Sequence, residues 1–177
     1  MPVVDQGARR DRYLLVPRTA VFARRENSYL LIKGAPNKRL WPGLYNGVGG
    51  HIEPGEDALS AAQREFLEET GLEADLWLCG TIVVDAGQVG VGLFVFTGEV
   101  WGGSLRRSPE GEPEWIPMHR VRSIPAVADV PLILAQINAL SRGDPPFSGR
   151  SHYDRDGVLQ IEFGPRRGHR PGEVQSL

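Results

Sequence analysis

The chain has 177 residues, 41% of them hydrophobic and 24% charged, with a net charge of −2. That is the composition of a globular protein in one domain of ordinary size, and it carries no broad basic surface for nucleic acid or membrane. One cysteine, Cys79, excludes an internal disulfide, and no apolar run approaches the roughly 20 residues a membrane span needs. The N-terminus has charges but no apolar signal-peptide core behind them, so the expected location is the cytoplasm.

Residues 1–11 are expected to be flexible. "YLLVPRTAVFA" (13–23) and "SYLLIKG" (28–34) read as strands. "GAPNKRLWPG" (34–43) is a basic loop, and "LYNGVGGHIEPG" is too rich in glycine for a helix and reads as a short strand bending into a loop. The clearest helix covers 57–70. Asp57 suits its N-cap, Gly71 its end, and Leu59, Ala62 and Phe66 recur at helical spacing as a buried stripe. Strands follow near 76–85, 91–100 and 114–118. A second helix over 129–141 has Asp129 at its N-cap and Pro131 in its first turn. "PPFSGRSHYDRDGVLQIEF" reads as a hairpin turning at "DRDG". The polar segment 164–177 is expected to be a flexible tail. Strands outnumber helices without strict βαβ alternation, which predicts an α+β fold.

The first helix concentrates acid. Residues three and four apart share a helical face, so Glu65, Glu68 and Glu69 are neighbours, beside the apolar stripe rather than opposite it. Such a group repels itself unless a cation neutralises it. Mg²⁺ takes oxygen ligands and favours a few carboxylates together with water and substrate phosphates. The plain alternative is a solvated charged face, with Arg64 pairing its acidic neighbours.

The surroundings decide between these readings. Gly50 is followed after five residues by Glu56, and seven residues later comes Arg64-Glu65-Phe66-Leu67-Glu68-Glu69-Thr70-Gly71-Leu72. This resembles the Nudix box, G-x5-E-x7-R-E-U-x-E-E-x-G-U with U apolar, at every fixed position; Phe66 is the one mild departure, where Ile, Leu or Val is commoner. The resemblance to the Nudix hydrolases implies an α/β/α sandwich around a mixed β-sheet, with the box as a loop–helix–loop. It implies Mg²⁺ (Mn²⁺ as the alternative ion) held by Glu65, Glu68, Glu69 and the carbonyl of Gly49. It implies that Glu56 shapes the loop and that Arg64 orients the glutamates. The general base stays open between Glu65, Glu68 and a residue outside the box, and so does the number of metal ions.

Outside the box, "YNGVGGHIEPGE" and "EGEPEW" resemble segments of the Nudix enzymes that sanitise oxidised purine nucleoside triphosphates. The resemblance maps a purine contact to Asn46 and a further metal ligand to Glu110, against the plain readings of a turn dipeptide and a loop acid. "PAVADVPLIL" is similar to the segment before that group's last helix, which makes Asp129 a candidate to read the base edge. The C-terminal hairpin is similar too, so the likeness runs over residues 12–163, taken as a single domain. Features of the coenzyme A, ADP-ribose and dinucleoside-polyphosphate branches are not found. Lys33, Lys38 and Arg39 are candidates to meet the triphosphate, with Gly50 and His51 beside it. The four tryptophans read as core; of these Trp41, near Asn46, is the one placed to stack on a ligand.

What the resemblance implies is water attack on the β-phosphorus of a nucleoside triphosphate, 8-oxo-dGTP in particular, releasing the monophosphate and pyrophosphate. The expected partner is this small-molecule nucleotide, with no nucleic acid or membrane; the oligomeric state stays open. Two other readings stand beside it: the same fold acting on ADP-ribose or a nucleotide sugar, and a silent domain that only binds nucleotide.

Overall fold

A computed structural model describes residues 11–38 and 40–165. The expectations for residues 1–10, for Arg39 and for the tail beyond 165 lie outside the described residues. The elements run β1 (Leu14–Arg25), β2 (Ser28–Gly34), β3 (Tyr45–Asn46), α1 (Ala58–Thr70), β4 (Leu72–Val84), β5 (Val89–Gly103), β6 (Gly111–Pro117), a 3₁₀ turn (Met118–Ser123), α2 (Val130–Asn138), β7 (Phe147–Tyr153) and β8 (Leu159–Phe163). Among these residues no helix is long and apolar enough to cross a membrane.

The strands form one mixed sheet in the order β3-β2-β1-β5-β4-β7-β8, with β6 added on β2. Two pairs are parallel, β1 with β5 and β4 with β7; the others are antiparallel. A helix covers each face, as the α+β, α/β/α expectation requires. On one face Ala62 and Phe66 of α1 pack with Val21, Leu30, Val48, Leu76 and Phe96. On the other, Val130, Ile133, Leu134 and Ile137 of α2 pack with Phe22, Leu31, Cys79, Val95 and Phe147. Burial pushes the Cys79 thiol up to about 12, so it behaves as an inert apolar group.

The first helix forms as its sequence dictates. The Asp57 carboxylate accepts from the amides of Leu59 and Ser60, satisfying donors that the helix itself leaves unpaired. At the other end Gly71, at φ 73°, takes the left-handed conformation that closes a helix, and its amide donates to Leu67 O. One member of the expected stripe is corrected. Phe66 is 1% exposed and Ala61 and Ala62 are buried, but Leu59 is 39% exposed. Periodicity gives the angle about the helix axis, not whether a neighbour reaches that turn.

Two further expectations change. Helix α2 ends at Asn138 rather than near 141, and Asp129 occupies its N-cap position without capping it: at φ −83° and ψ −19° its side chain makes no cap hydrogen bond. The tryptophans are not all core, since Trp101 is 69% exposed and Trp41 is exposed as well. The hairpin does turn at Asp154–Gly157, where the Asp154 carboxylate accepts from the amides of Asp156 and Val158.

The feature that positions the site is a fork. Strands β1 and β2 pair only at Arg24–Arg25 with Ser28–Tyr29. Beyond that point β1 pairs instead with residues 48–52, through Val21 N–H to Val48 O (2.6 Å), Thr19 N–H to Gly50 O (2.9 Å) and Ile52 N–H to Pro17 O (3.2 Å). The glycine-rich segment therefore crosses from β3 to β1 and spans the fork.

The two stripe positions give a direct check. In urea unfolding, Phe66→Ala is expected to cost about 3–5 kcal/mol, whereas Leu59→Ala should stay within about 0.5 kcal/mol of wild type.

Candidate active site

The segment spanning the fork lies against α1, and two glycines make the contact. The Gly49 amide donates to Glu69 Oε2 at 3.3 Å. At Gly50 a methyl group would stand 2.3 Å from Glu65 Oε1, so only a residue without a side chain lets the Glu65 carboxylate lie there. Beyond the buried Val48, which packs with Ala62 and Phe66, helix and loop thus meet through carboxylates.

Arg64 organises this junction. Its Nε and Nη2 donate to the two oxygens of Glu56 at 2.6 and 2.9 Å. Nη2 also donates to the His51 carbonyl at 3.2 Å, and Nη1 reaches Glu65 at 3.0 Å and Glu68 at 3.3 Å. Glu56 Oε2 accepts in addition from the Glu53 amide at 3.0 Å. The forked, bidentate geometry is what a guanidinium offers a carboxylate. Hydrogen bonds from Arg64, then from the Glu53 amide, hold the Glu56 carboxyl down at about 2, against 4.5 ordinarily.

Glu69 stands in the opposite situation. It is 6% exposed and its carboxyl is pushed up to about 7, chiefly by burial, with the charges of Glu65 and Glu110 adding to the rise and the Gly49 amide and Lys38 opposing it. A buried carboxylate among other carboxylates is costly unless positive charge is supplied.

These groups line a cleft of about 580 Å³. It brings together Lys38, Asn46, Gly49, Gly50, His51, Glu65, Glu68, Glu69 and Glu110 among the expected residues. Glu56 and Arg64 brace it from outside its lining. Among the described residues, no three His, Cys, Asp or Glu side chains are grouped as they stand to hold a metal ion. Glu65 and Glu68 lie on Arg64, and Glu110 forms an ion pair with Lys38.

Besides Glu56 and Arg64, two more expected residues are not in the lining. Lys33 pairs with Tyr45 and Ile32 with Asn46 across β2 and β3. Successive side chains alternate between faces, so Ile32 and Asn46 turn to the cleft while Lys33 lies over the Tyr45 ring, 5.7 Å from its centroid. Asp129 also lies outside the lining, half-buried at the start of α2, with its carboxyl raised by burial. Conversely, Arg18, Leu40, Leu44, Glu53 and Ser108 line the cleft without having been singled out. Arg18 arrives through its bridge with His51, a register that no local pattern announces. Trp41 is there too, held at φ 53°, consistent with its place near Asn46.

Residues 14–136 match the family model for the NUDIX domain. Over 94 residues the chain is 30% identical to the oxidized purine nucleoside triphosphate hydrolase of Danio rerio, an alignment that covers 51% of this chain and 60% of that protein. Among solved structures it is similar to the mutator MutT protein of Bacillus halodurans, with TM-score 0.72, 26% identity, and 86% of this chain and 99% of that one covered. It is also similar to a NUDIX hydrolase from Nitrosomonas europaea, with TM-score 0.58, 25% identity, and 70% and 86% covered. The family model covers more than half of the chain, and this chain belongs to the Nudix family. Nudix hydrolases generally use divalent metal ions.

Two outcomes follow from the junction. Because the folded-state value for Glu56 lies below the unfolded one, its contribution to stability is complete above about pH 4.5 and is lost as pH falls toward 2. The difference in urea midpoint between wild type and Glu56→Gln should therefore shrink between pH 6 and pH 3. Gly50→Ala should displace the Glu65 carboxylate and lower kcat by up to about 100-fold, with the far-ultraviolet circular dichroism spectrum unchanged.

Proposed function

We propose that this protein is a Mg²⁺-dependent pyrophosphohydrolase of nucleoside triphosphates, with oxidised purine nucleotides such as 8-oxo-dGTP as favoured substrates. The observation that carries the reading is the buried Glu69 carboxylate, flanked by Glu65 and Glu110, on the wall of a cleft that also holds Asn46, Lys38, Arg18 and His51. The likeness to the Danio rerio and Bacillus halodurans proteins supports the substrate class.

The donor set fits a hard divalent cation. All its atoms are oxygens, and among the described residues no ion pair joins the buried Glu69 carboxylate. Glu65, Glu68, Glu69, Glu110 and the Gly49 carbonyl would hold the ion. When bound, Mg²⁺ draws charge from phosphate oxygens and lowers the pKa of a coordinated water. The chain's own residues do the rest. Arg64 and Glu56 keep loop 51–56 on the helix and set the directions of Glu65 and Glu68. Lys38, Arg18 and His51 offer positive or hydrogen-bonding groups to the phosphate chain. Asn46 offers an amide to the base, with Trp41 and Leu40 as apolar surface. Asp129, at the far side of β3, is a further candidate for the base edge. In the reaction the oxygen of water bonds to the β-phosphorus, and the bond from that phosphorus to the α–β bridging oxygen breaks. The monophosphate leaves with the bridging oxygen and pyrophosphate keeps the water oxygen.

The test is a panel of normal and oxidised dNTPs, ADP-ribose, nucleotide sugars and dinucleoside polyphosphates, with released pyrophosphate measured against orthophosphate. We expect pyrophosphate from triphosphates and the highest kcat/KM with 8-oxo-dGTP. Equal rates for all triphosphates would refute the substrate preference alone, and turnover confined to ADP-ribose or sugar nucleotides would refute the triphosphate reading. Chelation should abolish turnover and added Mg²⁺ restore it. Glu68→Gln and Glu69→Gln should each lower kcat by roughly 10²–10³-fold; undiminished turnover in either would remove that residue from the metal site.

A further inference from the structure

Lys38 and Glu110 come from different loops, one between β2 and β3, the other between β5 and β6. They form an ion pair at the mouth of the cleft. The backbones beneath them are fixed to each other. The Ala35 amide donates to Glu110 O at 3.1 Å, the Lys38 amide donates to Ala35 O at 3.0 Å, and the β2–β6 ladder continues to Gly34 opposite Gly111. The ion pair can therefore open by side-chain rotation alone, without loop movement. Both side chains keep solvent contact, 34% exposed for Lys38 and 49% for Glu110, so neither carries a large desolvation cost when it changes partner.

The electrostatic setting gives the pair a meaning beyond surface decoration. Glu53, Glu65, Glu68, Glu69 and Glu110 all line the cleft, and Lys38 is the one lysine among the described lining residues. Arg64 serves Glu65 and Glu68 from the loop side, and Arg107 takes the adjacent Glu112. Among the described residues Lys38 is thus the cation paired with Glu110, and its charge also favours the ionised form of Glu69.

We propose that Lys38 is a tethered counter-ion of the acidic cluster, displaced from Glu110 when a divalent cation binds there and thereby freed to meet the substrate's phosphates. The proposal rests on the metal reading given above. An ammonium on a flexible four-carbon stem suits this exchange. It carries one charge against the two of the incoming ion, and once released it lies in the same cleft as the phosphate chain. Ion and nucleotide binding are then coupled through a change of partner, and the coupling is reciprocal.

The experiment is calorimetric titration of the full chain with Mn²⁺, alongside Michaelis kinetics with 8-oxo-dGTP. Wild type, Lys38→Met, Lys38→Arg, Glu110→Gln and the Lys38→Met/Glu110→Gln double variant are compared, with thermal unfolding to establish that each is folded. Lys38→Met should bind Mn²⁺ about two- to fivefold more tightly than wild type, the range an exposed ion pair supports. Lys38→Arg, which keeps a charge opposite Glu110 in a more rigid group, should lie nearer wild type than Lys38→Met in Mn²⁺ affinity. In the Glu110→Gln background the Lys38→Met effect should be smaller, because the pair is already broken and only the influence of Lys38 on Glu69 remains. The same Lys38→Met variant should show a raised KM with kcat little changed. Unchanged or weaker Mn²⁺ binding by Lys38→Met would overturn the proposal. So would a full Lys38→Met effect in the Glu110→Gln background, which would indicate repulsion through space, and so would an unchanged KM. Failure of the wild type to bind Mn²⁺ would overturn the metal reading as well, which separates the two failures.

Discussion

The guanidinium of Arg64 donates to both oxygens of Glu56 and to the His51 carbonyl, and pairs with Glu65 and Glu68. One cation therefore ties the loop that spans the β1–β2 fork to the acidic face of α1. The apolar contacts of α1 run through Ala61, Ala62 and Phe66; they anchor the helix to the sheet and reach the loop only at its start, through Val48. The placement of Glu65 and Glu68 rests on this charged junction, and the glycines at 49 and 50 let it close to hydrogen-bonding range.

The cleft is accordingly a place where like charges are kept together and answered by cations of different kinds. Arg64 is permanent: it is braced by five contacts and is part of the loop's structure. Lys38 is exchangeable, holding one exposed partner on a flexible stem. Glu69 is buried, and among the described residues the Gly49 amide and Lys38 favour its ionised form. This gradation, from a fixed cation to a loose one to a carboxylate short of positive charge, is the arrangement expected of a site that receives cation and polyphosphate together.

Much of this was legible in the chain. The helix over 57–70, its Asp57 cap and its Gly71 stop are local events, governed by residues within four positions of one another. The closeness of Glu65, Glu68 and Glu69 follows from helical spacing for the same reason. The box spacing pointed to the family, to Gly49 and Gly50, and to Glu56 and Arg64 as their supports. What was not legible needed partners distant in sequence. Lys33 and Lys38 look alike as basic residues near a loop, yet strand alternation turns Lys33 onto Tyr45 and only Lys38 enters the cleft. Leu59 has the right angle on its helix, yet it stays 39% exposed in the first turn. Asp129 has the residue type and position of a cap but not the backbone conformation.

By itself the amino-acid sequence determined the elements, the acid-bearing helix face and the family, because each depends on spacing along one segment. Only the tertiary structure decided which loops share a cleft. The fork between β1 and β2, the bridge that brings Arg18 to His51, and the meeting of Lys38 with Glu110 across 72 positions all depend on strand order and register. Those are set by how two hydrophobic faces of one sheet are buried at once, and no local pattern encodes that.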